Sequence, residues 1–456
     1  MRRLPLLRRS LTATCSLFAL SLMTVGLSAN WPQWRGPDHN GTSVSAKNLP
    51  TTWSTTENVA WKVSLPSWSA ATPIIWEDVV FVTSAQEGFN DPVQFGGIGG
   101  ERGRGGARTP PAAQDKLYLH AVSRKDGSVL WSRETGDGNH IERKQNMASP
   151  SPVTDGKHVW VMTGTGTLTC FDFAGKQTWQ RNFQQDYGRF GLNWGYASSP
   201  KLHEGRLYVQ VLHGMKTDDP SYVVSLDAAS GKTIWRVERP TDAPNESPDS
   251  YSTPILVPVD GKLQVIISGA DYVTGHDLQT GKELWRLGGF NPMNARDYRT
   301  IASSIHIGSK VFTTSREGRP FVGFDPSGAS GDITGKSEMW TNNLGADVPT
   351  PTTDGNIIYV VNDRGIAVAL DHQTGEPVWE RQRLEPGTYS SSPLLADGKI
   401  YATSEDGATV VMKAGREFEI LAVNKLDEYT LASPVAVDNQ IFIRTVDYLY
   451  CIQKKD

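Results

Sequence analysis

The sequence predicts an all-β fold, an eight-bladed β-propeller of four-stranded antiparallel blades, closed by an N-terminal strand that completes the last blade. Three observations carry this expectation. A phrase opening on Ser or Thr, with Pro next in seven copies, recurs eight times; a second phrase running from Asp through Gly to Trp follows most copies; and 456 residues hold 44 Gly and 14 Trp, a composition of turns and aromatic plugs rather than of a helical bundle. With 38% hydrophobic residues the chain can bury a sizeable core, and a formal net charge of -4 argues against a nucleic-acid binder.

The elements follow in chain order. Residues 1–29 are expected to be a signal peptide: Arg2, Arg3, Arg8 and Arg9 form a basic start, Leu11 to Leu27 is apolar and uncharged, and Leu27-Ser28-Ala29 offers a cleavage site. The apolar run is slightly short for a bilayer span, so no transmembrane segment is expected after cleavage. Arg8-Arg9-Ser10-Leu11 leaves twin-arginine export open beside the general route. Removing the segment takes away four Arg and no acid, leaving a more acidic chain with Cys170 and Cys451 as its only cysteines. It is therefore not a disulfide scaffold, although its expected destination, periplasmic or extracellular, is oxidising.

Residues 30–56, opening on Trp31-Pro32-Gln33-Trp34-Arg35-Gly36-Pro37, are expected to form an irregular arm packed on the propeller, with the Trp pair as anchors. Residues 57–456 are the repeat region. Its phrases begin at Thr72, Ser151, Ser199, Thr253, Ser303, Thr350, Ser392 and Ser433, each opening an apolar run, a polar turn and a second apolar run. The last copy stops one strand short after Tyr448 to Ile452, and Asn58 to Val63 supplies the missing Trp strand. Blade 1 carries a Gly/Arg-rich insertion around Phe95 to Gly106, whose spacing matches no phosphate loop.

The second phrase is clearest at Asp227-Gly231-Trp235, Asp277-Gly281-Trp285 and Asp371-Gly375-Trp379. Gly permits the turn, Asp bonds local backbone, and Trp offers a large apolar face with one N–H. Trp61, Trp131, Trp179, Trp235, Trp285, Trp340 and Trp379 are therefore expected to dock blade on blade; the seventh copy lacks a Trp and has Ile420 near its place.

The run Ser225-Leu226-Asp227-Ala228-Ala229-Ser230-Gly231 to Trp235 resembles the tryptophan-docking repeat of the pyrroloquinoline-quinone-like (PQQ-like) β-propeller family, within the quinoprotein alcohol dehydrogenase-like superfamily. That family includes quinoprotein alcohol dehydrogenases and the propeller lipoprotein of the outer-membrane barrel assembly complex. The resemblance implies the fold; in both branches the motif is structural, so it does not choose a function. In its enzymes it implies a cofactor near the axis between a vicinal disulfide and a Trp, with Ca²⁺ held by carboxylate and amide oxygens. This sequence has no adjacent cysteines, no C-x-x-C-H, no His-Glu-x-x-His and no Gly-x-Ser-x-Gly.

A ligand would meet the loops that enter each inner strand. Asn146, Asn193, Trp194, Asp249, Tyr251, Asp297, Tyr298, Arg299, Tyr389 and Tyr429 come from six blade junctions and are the candidate axial-face residues. The same residues also suit exposed loops packed on the next blade. The expected function is an exported, non-catalytic binding scaffold for a protein or another cell-envelope component, with no cofactor, no metal and no nucleic-acid partner. The alternative is a PQQ-dependent alcohol or sugar dehydrogenase with Ca²⁺.

Overall fold

The computed structural model describes residues 30–86, 115–142, 144–316 and 318–455. The expected signal peptide and the Gly/Arg-rich segment lie outside these residues. Eight small antiparallel sheets stand in a ring, one for each copy of the Ser/Thr-Pro phrase. Blade 3 shows the plan: Lys201–His203, Arg206–Val211, Tyr222–Asp227 and Thr233–Glu238 pair in sequence order from the axis outward. Blade 8 takes Val435–Val437, Gln440–Arg444 and Tyr448–Gln453 from the end of the chain and Val59–Ser64 from near its start. Trp61 pairs with Cys451 in that closing ladder, so the ring is fastened by backbone hydrogen bonds between its two ends.

Two blades exceed the expected four strands. Thr42–Ser43 of the arm adds to blade 7 in parallel with Leu394–Ala396. Gly331–Asp332, from the insertion in blade 5, adds in parallel to the outer strand of blade 4 at Trp285 and Arg286.

The Ser/Thr-Pro phrase has a physical purpose. Its first residue sits two positions before each inner strand, and in seven of the eight copies the following Pro favours an extended backbone there. There the backbone N–H donates to the hydroxyl of the equivalent residue in the next blade. Thr72 N–H donates to Ser151 Oγ at 2.9 Å, Ser151 to Ser199 at 2.9 Å, Ser199 to Thr253 at 3.2 Å and Thr253 to Ser303 at 2.8 Å. The belt continues from Ser303 to Thr350 at 2.9 Å, from Thr350 to Ser392 at 3.0 Å and from Ser392 to Ser433 at 3.0 Å. Seven successive junctions are thus tied at the axis, where all eight residues are buried.

The blades also meet farther out through the Trp residues. Trp61 Nε1 donates to Arg124 O, Trp131 to Phe173 O and Trp179 to Ala228 O, each at 2.9 Å, with acceptors in the turn of the next blade. Trp235 reaches Leu278 O at 3.3 Å, while Trp340 and Trp379 reach His372 O and Gly415 O at 2.9 Å. The turn Gly lies against the ring: a Cβ at Gly231, already at φ 69°, would come within 2.7 Å of Trp179. Trp285 differs. It donates to Gln264 of its own blade at 2.8 Å, because the blade 5 turn it would meet has been lengthened into the added strand.

Register explains why each Trp fits. Trp61, Trp131, Trp179, Trp235, Trp285, Trp340 and Trp379 pair with Cys451, Ala121, Cys170, Ser225, Gly275, Gly323 and Ala369. Every partner is small, and a bulge follows each pairing, so the indole can lie across the neighbouring strand. In blade 7, which lacks the Trp, Ala422 pairs with the larger Val411. There the arm brings in Trp53, buried against Tyr401 with ring centroids 6.2 Å apart.

Two outcomes are expected. Ser303→Ala leaves a buried N–H without its acceptor and should cost about 1–3 kcal/mol in urea unfolding, whereas Ser303→Thr, the residue used at three other positions, should be near neutral. Cys170→Ala and Cys451→Ala should each cost no more than about 1.5 kcal/mol by the same measurement, and Cys170→Leu about 1–3 kcal/mol, because the sulfur serves as a small side chain opposite Trp179. Burial pushes the two thiols up, to about 11 and about 12, away from the reactive thiolate.

Candidate functional site in the axial funnel

Inner strands alternate their side chains, so the residue two before each belt hydroxyl also faces the axis. Ala70, Ser149, Ala197, Tyr251, Ile301, Val348, Ser390 and Leu431 form this second layer, above the layer of Ser and Thr. Together they line a cavity of about 380 Å³ with Trp34 of the arm among its lining residues. The upper wall is polar: Lys144, Gln145, Trp194, Arg299, Asp347, Asp363 and Thr388.

Two charge networks organise that wall. On one side Lys144 Nζ lies 2.8 Å from Glu405 Oε1. Buried Glu405 also accepts from the hydroxyl of Ser390 and, at 3.3 Å, from that of Tyr429. Burial, then the Glu405 charge, pushes the Tyr429 phenol well up, so it stays a neutral donor. On the other side Trp194 Nε1 donates to Glu246 Oε1 at 3.0 Å, and the Arg299 guanidinium lies 4.9 Å above the Trp194 ring. Arg299 is also 3.8 Å from Glu246 and 3.7 Å from Asp347. The Tyr251 hydroxyl accepts the Trp194 backbone N–H at 2.9 Å, and Gln145 Nε2 donates to Gly195 O at 3.1 Å, which fixes the loop that presents the indole.

Asp363 lies at this wall between backbone donors. Its carboxylate accepts from Asp347 N–H at 2.8 Å and Val348 N–H at 3.1 Å, yet burial and the neighbouring Asp347 charge push it up to about 7.

Of the ten residues expected on the axial face, Trp194, Tyr251 and Arg299 line the funnel. Tyr429 stands behind the wall through Glu405. Four others hold the loops in place. Asn146 is fully buried and donates to Trp68 O at 2.9 Å. Asp249 is also buried and accepts backbone N–H groups from Asn193, Gly214 and Met215 at 2.7, 3.0 and 3.2 Å. Asn193 supplies one of those donors, and Tyr389 donates to Glu385 O at 2.9 Å. Asp297 and Tyr298 stand away from the cavity: Asp297 pairs with Arg316 at 3.1 Å, and the Tyr298 ring lies beneath Arg319 at 5.2 Å. Sequence reasoning missed Asp347, Asp363, Glu405 and Glu246. Counting back in twos from the Ser/Thr-Pro phrase would have found the layered wall, but no sequence signal marks which acids pair across blades.

The family model described as outer membrane protein assembly factor BamB matches residues 115–381 and 329–418. This chain belongs to the PQQ-like β-propeller family. Among relatives of this PQQ-like propeller, the lanthanide-dependent methanol dehydrogenase of Methylorubrum extorquens is 39% identical over 179 residues, covering 37% of this chain and 27% of the relative. The crystal structure of BamB from Moraxella catarrhalis superposes with a TM-score of 0.56 at 15% identity, covering 86% of this chain and 98% of that one. Quinohemoprotein alcohol dehydrogenase from Comamonas testosteroni gives a TM-score of 0.63 at 13% identity, covering 94% and 81%. These two likenesses concern the fold.

Among the described residues the funnel of this PQQ-like propeller has no vicinal disulfide to face the quinone that the resemblance implies. Among the described residues no three His, Cys, Asp or Glu side chains gather where a metal could be held, and the two cysteines are unpaired, one in blade 2 and one in blade 8. Both lining cations already face carboxylates, which leaves little positive potential for a planar polyanion.

The Asp363 shift has a measurable consequence. Its folded value of about 7 lies above the ordinary 3.8, so its proton-linked stability is fully present below about 4 and lost as the pH rises through 7. Asp347→Asn should lower the Asp363 midpoint, as read by carbon NMR of the carboxyl group. It should remain above 3.8, because burial is the larger cause.

Proposed function

We propose that this protein is an exported, non-catalytic binding scaffold whose funnel receives a segment of a protein or another cell-envelope component. The observation that carries this reading is the construction of the cavity: an apolar and hydroxyl-lined cup whose charged rim is internally paired, with Trp194 held rigidly at its edge. Such a site can bury apolar groups and offer hydrogen bonds to a docked segment. The seven paired Trp residues are assigned to docking of blade on blade. No helix among the described residues is long and apolar enough to cross a membrane. Export rests on the leader-like start of the sequence.

The match to a methanol dehydrogenase favours a second reading, a quinone-dependent oxidoreductase. One pair of measurements separates the two. A photo-crosslinking side chain at Val348 or Leu431 should capture a partner in cell-envelope preparations, while the same group at exposed Val129 on an outer strand should not. Crosslinks from Val129 alone would remove the funnel as the site. In parallel, purified protein mixed with PQQ and Ca²⁺ should show no retained quinone absorbance and no dye-linked alcohol oxidation; turnover would establish the enzyme reading instead.

A further inference from the structure

On the arm side of the axis a second set of polar groups gathers. Arg35 and His39 come from the arm, Lys201 from the first residue of the blade 3 inner strand, and His306 from the blade 5 inner strand. Asn40 fixes the arm there, donating from Nδ2 to His306 O at 3.0 Å and accepting from His306 N–H at 3.2 Å. Burial depresses both imidazoles and the Lys201 charge adds to it, while exposed Asp38 opposes it at His306. Arg35, His39 and Lys201 are only 2%, 3% and 5% exposed.

Their hydrogen bonding is uneven. Arg35 gives its two terminal nitrogens to carbonyls, Pro393 O at 2.6 Å and Asn40 O at 3.0 Å, together with Pro351 O, while its buried Nε has no partner. Neither ring nitrogen of His39 has a partner, although both are buried. His306 uses Nδ1 on Gly308 O at 3.1 Å, which leaves Nε2. Among the described residues the one carboxylate acting on Lys201 is that of exposed Asp38. Burial pushes the Lys201 ammonium down to about 7, a cost that a bound negative charge would relieve.

We infer that this cluster is a binding site for one small oxyanion, held by His39, Lys201 and His306 beneath the arm. Arg35 adds charge from behind without contacting the ligand. The site is separate from the funnel wall: its residues belong to the arm and to the starts of inner strands, and none of the three holding residues lines the cavity.

Titration calorimetry of the full chain with sulfate and with phosphate, at constant ionic strength in chloride, tests this. Saturable one-to-one binding is expected for at least one of the two, with chloride alone giving no isotherm. Lys201→Met should weaken the binding at least tenfold while circular dichroism and melting show an intact fold, since the variant removes a buried ammonium whose one acidic neighbour, Asp38, is exposed. Lys425→Met, which removes an exposed charge, should leave the affinity unchanged. No saturable binding of either oxyanion, or equal affinity in Lys201→Met, would overturn the assignment, as would chloride binding equally well.

Discussion

The belt of backbone-to-hydroxyl hydrogen bonds at the axis is the constraint on which the propeller rests. Eight inner strands converge where there is least room, and two residues ahead of them the N–H groups face a neighbouring blade rather than a strand of their own sheet. A hydroxyl on the next blade answers that donor, at about 1 kcal/mol net for each bond. The greater effect is geometric. Because the six residues between Thr72 and Ser433 both donate to the next blade and accept from the previous one, the spacing of one blade fixes that of its neighbour, and the side chains two residues away stand in a single layer around the cavity. The functional wall inherits its order from this belt.

Farther from the axis the blades diverge, and the wedge between them must be filled. A Trp on the outer strand fills it where the paired residue is Gly, Ala, Ser or Cys, and the exceptions are consistent with this account. Blade 7 has neither the Trp nor the small partner, and Trp53 of the arm occupies its boundary. Trp285 has the small partner but a lengthened turn to face, and its indole is satisfied within its own blade. The arm is therefore part of the packing of the ring: residues 30–56 contribute a strand, a wedge and a buried guanidinium.

The ring was legible in the sequence because its elements repeat. Thr72, Ser151 and their counterparts recur with the same neighbours, and the strand at Asn58 to Val63 stands out because blade 8 is one strand short. The site was legible only in part. Trp194, Tyr251 and Arg299 occupy loops whose position the repeat fixes, so their convergence could be read. Asp363 and Glu405 lie between second and third strands, and their importance depends on Asp347 and Lys144, which belong to other blade junctions. Pairing across a ring leaves no spacing in the chain. Tyr298 shows the converse, since it stands one residue before Arg299 and, through the alternation of the strand, turns away from the axis.

Trp34 gives the channel a property that the repeats alone would not. The repeats supply the blades, whereas here an indole from the arm lines the cavity, in a chain that runs on to the carbonyls of Pro351 and Pro393. The cavity is thus lined in part by a residue that no blade supplies. Whatever binds there touches the arm as well as the blades, so the seating of residues 30–56 on Pro351 and Pro393 bears on the shape of the cavity.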